Sequence, residues 1–342
     1  MNVRVIYGGS FISPGGGARV TREIARALDA PVTMTHMAKP SFWSDVETDV
    51  VFQSHFMKGL TGNIYQKLPN GVPAKMVSQK LKSIDFDEEI IISTSNASMW
   101  TVPKYYQQHI HYCNTPPRYY YAEPIDGPIS WFKQTGQAVL DQHFVTFVDK
   151  IIANSEYTRE RVNRHYRREA EVVTPPVEID RYYHAESEGY FVTIGRLVSK
   201  KGVRVMAEAV DNLVIVGDGP LEEECRNLGA DVRTNISDEE LADIVAKAEG
   251  GIALARDEHY GITPKEFQAA GRLVIVPNEP NLCNHVSEGE DGVIVEPTVE
   301  GVAAGVERVR ETAWDPHRIQ ETAATSSPER FQKEIREVVA NA

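Results

Sequence analysis

Short apolar runs bounded by turn residues alternate along this chain with segments whose apolar positions recur at helical spacing. The runs at 3–7, 90–93, 110–113 and 151–154 are largely apolar on both alternates, as strands covered on both faces require. A helical period at 20–28 falls between the first two, so the first half reads as strands of a parallel sheet joined through helices. After Thr174-Pro175-Pro176-Val177, where two prolines favour an extended connector, the same alternation restarts. Strand-like runs follow at 191–195, 213–216, 251–254 and 273–276, and a helix at 238–248 has Ser237 in position to cap it. The closing segment 328–339 carries Phe331, Ile335, Val338 and Val339 on one helical stripe, which needs a surface to cover. The pattern predicts an α/β chain of two Rossmann-like, doubly wound domains. The first spans 1–174, with the closing helix 328–342 packing back on it, and the second spans 175–327.

Composition agrees with two cores and narrows the chemistry. At 342 residues the chain exceeds the roughly 250–300 at which single cores stop growing. Its net charge of −13 argues against a general nucleic-acid binder, which needs a Lys and Arg surplus to neutralise phosphates. Ordinary solubility and adaptation to a salty cytoplasm both account for that acidity. Cys113, Cys225 and Cys283 lie far apart, a spacing that fits neither a zinc site nor a disulfide framework. The opening residues run directly into a strand, with no signal peptide, and no stretch approaches the ~18 apolar residues of a membrane span. A cytoplasmic protein is expected.

Three groups of residues carry candidate chemistry. Gly8-Gly9 and Gly15-Gly16-Gly17 lie between the first strand and a helix expected to begin near Ala18, where backbone amides can approach a phosphate; a plain flexible turn is the alternative. This is neither the dinucleotide fingerprint nor a Walker loop. In the second half the strand at 191–195 delivers Arg196 and Lys201 into the loop before a helix, and the next strand ends in the tight turn Gly217-Asp218-Gly219-Pro220. Two such cations suit a diphosphate, or else make a solvated basic turn. The third group is Glu258-His259-Tyr260-Gly261-Ile262-Thr263-Pro264-Lys265-Glu266. With Pro264 in a first helical turn, the Gly261, Ile262 and Thr263 amides form a cradle flanked by two carboxylates, which accept sugar hydroxyls well. Taken alone, that spacing also arises from two surface residues.

The order of these motifs resembles glycosyltransferase family 4, from the N-terminal glycines to the last helix. The resemblance rests on Gly195-Arg196-Leu197, Lys201-Gly202, Gly217-Asp218-Gly219-Pro220, Ser237-Asp238-Glu239-Glu240-Leu241, the 258–266 segment and Gln268-Ala269-Ala270-Gly271-Arg272. It implies the GT-B fold, two Rossmann-like domains facing across a cleft. It also implies a retaining hexosyltransferase that uses a nucleotide-sugar donor and a glycan or lipid-linked glycan acceptor, with no cofactor and no essential metal. By the same resemblance Arg196 and Lys201 bind the donor diphosphate and Glu258 contacts the transferred sugar. Glu266 holds the ribose, the amides of Gly261, Ile262 and Thr263 meet sugar and phosphate, and Gly16 and Gly17 meet the phosphates from the first domain. Tyr112-Cys113-Asn114-Thr115-Pro116-Pro117-Arg118 and Ala153-Asn154-Ser155 are similar to the branch containing mannosyltransferases of surface polysaccharides, so GDP-mannose is the first expected donor. That branch has His where Asn114 stands. Asn114 and Arg118 are therefore expected on the reacting-sugar side, with His111 or His109 as stand-ins or as core histidines. A sugar-nucleotide epimerase or hydrolase, and a catalytically weak binding subunit, are the competing readings.

Two further signals have modest readings. Asp85-Phe86-Asp87 has the form of a metal-dependent transferase motif but lies in a polar turn, and is read as solvated loop. Arg159, Arg161, Arg164, Arg167 and Arg168 form a basic run on an expected helix, either a solvated face or a dock for anionic lipid headgroups at the membrane.

Overall fold

The structure, a computed structural model, describes residues 2–8, 15–35, 37, 39–51, 84–121 and 128–342. Gly9 of the N-terminal glycines lies outside these. The chain divides into two compact units, Met1–Pro175 with Phe331–Ala342, and Pro176–Arg330.

In the first unit seven described strands form one sheet: β1 (Val3–Tyr7), β2 (Val32–Met34), β3 (Thr48–Val50), β4 (Ile90–Ser93), β5 (Gln108–Cys113), β6 (Lys150–Ala153) and β7 (Glu171–Val172). Their order is β3-β2-β1-β4-β5-β6-β7, with every neighbouring pair parallel. Val5 of β1 lies opposite Val32 and Ile92, so the central strands stack apolar residues in register. From Phe331 onward the last helix supplies Phe331, Ile335, Val338 and Val339 to the same core as Val5, Ile24 and Ile92. Gln332 Nε2 donates to Glu23 at 3.0 Å, and Lys150 Nζ to the Val338 carbonyl at 3.2 Å.

The second unit repeats the scheme with β8 (Phe191–Ile194), β9 (Leu213–Val216), β10 (Asp231–Arg233), β11 (Gly250–Ile252), β12 (Val274–Pro277) and β13 (Gly292–Val295). The order is β10-β9-β8-β11-β12-β13, again parallel throughout. Gly251 sits in β11 because the Phe267 ring occupies the space that a Cβ there would need. That close approach draws the helix Thr263–Ala269 onto the sheet. Two doubly wound α/β sheets are thus present, as the periodicity predicts. The helix Asp238–Ala246 is capped by Ser237, whose Oγ accepts the Glu240 amide at 3.1 Å.

Several expectations need correction. The first helix is Gly16–Leu28, so Gly16 and Gly17 form its opening turn rather than a loop ahead of it. The basic run is not one helical face. Its helix is Glu156–Tyr166, Arg167 caps it at φ 54°, and Arg168 lies beyond, donating to the carbonyls of Val145 (3.3 Å) and Asp149 (2.9 Å). Arg161 donates to Thr115 Oγ1 at 3.3 Å; Arg159, Arg164 and Arg167 are exposed, and of these Arg159 pairs with Glu156. Asp85 and Asp87 are exposed, and both pair with Lys104, at 2.7 and 3.0 Å.

His111 is a core residue, the second of the two readings that the sequence left open. It and His109 alternate on β5 and are fully buried, with Ser93 Oγ 2.9 Å from His111 Nδ1 and 2.8 Å from His109 Nε2. Burial pushes both pKa values down, to about 4 for His109 and about 3 for His111, where mutual repulsion adds. Each ring therefore folds neutral, while the unfolded chain takes up protons below about pH 6.5. Folding stability is therefore full above that pH and falls as pH drops toward about 4, where protonation of the unfolded chain is favoured over that of the buried rings. Urea unfolding at pH 7 and pH 5 should show the first unit weakened at pH 5; equal midpoints would reject this account.

Candidate functional site

β8 and β11 are neighbours in the sheet although β9 and β10 separate them in sequence. From β8 the chain winds outward one way, then returns to build β11, β12 and β13 on the other side. At such a switch point the loops leaving the two strands diverge and open a crevice at their C-terminal ends. The loop after β8 carries Gly195-Arg196 and the 3-10 turn Ser199–Lys201, and the loop after β11 runs through Ala255 to Glu258 and Gly261. Between them lies an open depression whose walls include Arg196, Lys201, Glu258, Gly261 and Thr263.

Lys201 Nζ lies 2.5 Å from Glu258 Oε2, and both side chains are about three-quarters buried, at 28% and 26% exposure. Burial alone would raise the Glu258 carboxyl. The Lys201 ammonium outweighs it, with His259 and Lys200 adding, so the group is held below its ordinary range and stays ionised at neutral pH. The Arg256 amide donates to the Lys200 carbonyl at 2.8 Å, which fastens the two loops together beside this pair. The pair is neutral as a unit, and Arg196, exposed on the same wall, leaves the depression cationic. An anion with hydroxyls attached meets complementary groups here: a guanidinium and an ammonium for phosphate oxygens, a carboxylate for hydroxyl donors.

The turn after β9 orders the Arg196 loop. Leu197 N–H donates to the Asp218 carbonyl at 2.7 Å, and Leu221 N–H returns to the Leu197 carbonyl at 3.2 Å. On the other wall Gly261 has φ 80°, and the Leu282 side chain fills the place of a Cβ. The helix Thr263–Ala269 begins there, with Pro264 in its first turn. Its first i→i−4 bond runs from the Glu266 amide to the Ile262 carbonyl at 3.2 Å, so the Ile262 and Thr263 amides precede the helical ladder. The helix has only seven residues, so the side-chain charges dominate its dipole. Glu266 stands in that first turn but is 7% exposed and does not line the depression.

In the first unit Gly17 and Asn114 are neighbours: a Cβ on Gly17 would lie 3.8 Å from Asn114 Nδ2. The Asn114 amide donates to the Thr94 carbonyl at 3.1 Å, at the C-terminal ends of β4 and β5. Arg118 opens the short helix Arg118–Tyr121 and is half-buried.

Motif reading misses the segment after β12. Asn281 Nδ2 donates to the Glu258 carbonyl at 2.8 Å, and His285 Nε2 lies 2.6 Å from the Tyr260 carbonyl. Only Pro280-Asn281 marks a turn there, and no residue of it has a charge or a spacing that signals a site.

Residues 178–326, which include Arg196, Lys201, Glu258 and Glu266, match the family model described as Glycosyl transferases group 1. An uncharacterized glycosyltransferase of Methanocaldococcus jannaschii is 24% identical over 168 residues, covering 45% of this chain and 47% of that protein. The chain thus matches about half the length of that curated relative. Among solved structures, HepE of Anabaena in complex with UDP and glucose aligns over 100% of both chains, with a TM-score of 0.74 and 14% identity. Sucrose-phosphate synthase of Thermosynechococcus elongatus does so with a TM-score of 0.74 and 15% identity. At these identities the two structures speak for the fold. The chain has the two-domain Rossmann-like GT-B fold, and the part of it that matches the group 1 glycosyltransferase model is residues 178–326.

Proposed function

We propose that the protein transfers a hexose from a nucleotide sugar to a glycan or lipid-linked glycan acceptor with retention at the anomeric carbon. The observation that carries this reading is the joining of Arg196, Lys201 and Glu258 in one depression at the switch point of the second unit. The donor diphosphate lies against Arg196 and Lys201, and the Glu258 carboxylate beside Lys201 accepts hydroxyls of the sugar. The bond from C1 to the diphosphate oxygen breaks, the acceptor oxygen bonds to C1 on the same face, and the acceptor proton passes to the departing phosphate oxygen. No protein base is needed, and the two fixed cations stabilise the charge that develops on the leaving group without a metal. GDP-mannose is the first donor to test. UDP-glucose stands beside it, because HepE is solved with that donor.

One observation favours a second reading. Asn114 spends its amide on the Thr94 carbonyl and has no titratable group, which suits a subunit that binds the donor with little turnover. Incubation with GDP-, UDP- and dTDP-hexoses, followed by ligand-observed NMR, separates the readings. Donor-specific binding with acceptor-dependent turnover supports the transferase, and binding alone supports the subunit. Acceptor-independent consumption points to an epimerase or hydrolase, and no binding at all rejects a nucleotide-sugar site.

For a lipid-linked acceptor, the solvent-facing pair Arg164 and Arg167 offers a contact to anionic headgroups. No helix among the described residues is long and apolar enough to cross a membrane. Sedimentation with vesicles rich in anionic lipid should show less bound protein for Arg164→Glu/Arg167→Glu than for the wild type; equal bound fractions would remove this contact from the account.

A further inference from the structure

The segment from Glu279 to His285 grips the Glu258 loop at four successive points. Asp257 N–H donates to Glu279 Oε2 at 3.2 Å, Asn281 Nδ2 to the Glu258 carbonyl at 2.8 Å, and His285 Nε2–H to the Tyr260 carbonyl at 2.6 Å. Leu282 fills the space against Gly261. The segment is itself fixed to the helix that bears Glu266, because Lys265 Nζ (3.3 Å) and Gln268 Nε2 (2.8 Å) both donate to the His285 carbonyl. Glu258 therefore does not sit on a free loop.

Asn281 is the strained member of this grip. It is 4% exposed and has φ 87°, in the left-handed region where a residue with a Cβ is held at a cost of roughly 1–3 kcal/mol. Asparagine tolerates that region better than most residues, yet glycine would occupy it with less strain. What asparagine supplies and glycine lacks is the amide that bonds the carbonyl of Glu258 itself.

We propose that Asn281 is a positioning residue: by fixing the Glu258 backbone it holds the Glu258 carboxylate against Lys201 at the mouth of the depression. That this posture serves the transferred sugar rests on the function proposed above. The carbonyl bond fixes where the Glu258 Cα–Cβ vector begins, and burial of the side chain against Lys201 limits how far its torsions can correct an error there. Misplacement of a substrate-contacting group by about 1 Å lowers turnover on the order of a hundredfold. Affinity for a nucleoside diphosphate, which has no sugar, depends on Arg196 and Lys201 and changes far less.

The test uses the full chain and Asn281→Gly, whose backbone accepts φ 87° without strain, with Asn281→Asp as a second variant that tolerates the same region but lacks the donor. In the unliganded protein, carbon-13 NMR follows titration of the Glu258 carboxyl, assigned by its loss in Glu258→Gln. The wild-type midpoint is expected below that of an ordinary glutamate, and in Asn281→Gly, which adds no charge, it rises toward about 4.3 while the fold is kept; a larger rise in Asn281→Asp includes the repulsion of its new carboxylate. An unchanged midpoint in a folded variant overturns the proposal. With a donor in hand, Asn281→Gly should lower kcat tenfold or more, on the order expected for a misplaced group, with less than about threefold change in the Kd of the nucleoside diphosphate. In a Glu258→Gln background the same substitution should add nothing, and a full additive loss there also overturns it. A wild-type chain that binds no nucleotide would defeat the donor-site reading and leave the titration to decide the positioning claim.

Discussion

Lys201→Ala is expected to lower turnover by about two to three orders of magnitude, the loss typical when one preorganised donor to a developing negative charge is removed. Lys201 has two consequences in this site, and the substitution removes both. In the proposed mechanism it neutralises the departing phosphate, and in the structure it holds the Glu258 carboxyl ionised against burial. Without it, burial is less opposed and the Glu258 pKa rises. A carboxyl depressed in the folded state supports function above its own pKa, so the acid limb of the pH–rate profile should move to higher pH in Lys201→Ala. Stability should respond as well, since one partner of a mostly buried pair is left without its counter-charge. Lys201→Ala/Glu258→Gln should recover part of that stability and none of the activity. Single-turnover rates across pH, with urea unfolding of the same three proteins, check this. Wild-type turnover in Lys201→Ala, or an unmoved acid limb, would remove Lys201 from the mechanism.

Gly217→Ala should weaken donor binding from a position that carries no functional group. Gly217 has φ 147°, and the Gly195 carbonyl occupies the space that a Cβ would take. The turn cannot retreat, because Leu197 and Leu221 bond it to the Arg196 loop from both sides. The strain costs on the order of 1–3 kcal/mol, which for a unit of this size is several degrees in Tm. Relief of that strain displaces Arg196. Gly189→Ala is the control: Gly189 also has a positive φ, 79°, but nothing stands within 4 Å of an added Cβ. Both variants should lose stability, and only Gly217→Ala should lose nucleotide affinity. Retained affinity in a folded Gly217→Ala would sever the turn from the site.

Both sheets were legible in the sequence wherever strands are covered on two faces. The apolar runs that became β1, β4, β8 and β9 announce themselves because burial on both faces forbids polar alternates. Edge strands were not legible. In β10 only Val232 is buried and in β3 no residue is, so hydrogen bonding to a neighbour defines them and leaves no apolar pattern. The site divides in the same way. Arg196, Lys201, Glu258 and Gly261 could be singled out because each belongs to a local motif whose chemistry is visible along the chain. Their assembly is a property of the strand order: Lys201 and Glu258 meet because β8 pairs with β11, across 57 positions of sequence. Asn281 was silent because a left-handed asparagine reads as any turn, and what distinguishes it is the carbonyl it reaches. His111 misled because a histidine near Asn114 suggests chemistry, whereas β5 turns it into the sheet's interior beside Ser93. The arginine run misled for the opposite reason: five like charges in ten residues look like one face until the helix stops at Tyr166.

The central claim is that the crevice between the loops after β8 and β11 is the seat of a nucleoside diphosphate. Titration calorimetry of GDP and UDP into the wild-type chain and into Arg196→Ala/Lys201→Ala tests it most directly. Saturable binding of at least one nucleotide to the wild type is expected, with at least a hundredfold weaker binding, roughly 3 kcal/mol, to the double variant. Equal affinity in the two proteins would place the diphosphate elsewhere and contradict the account.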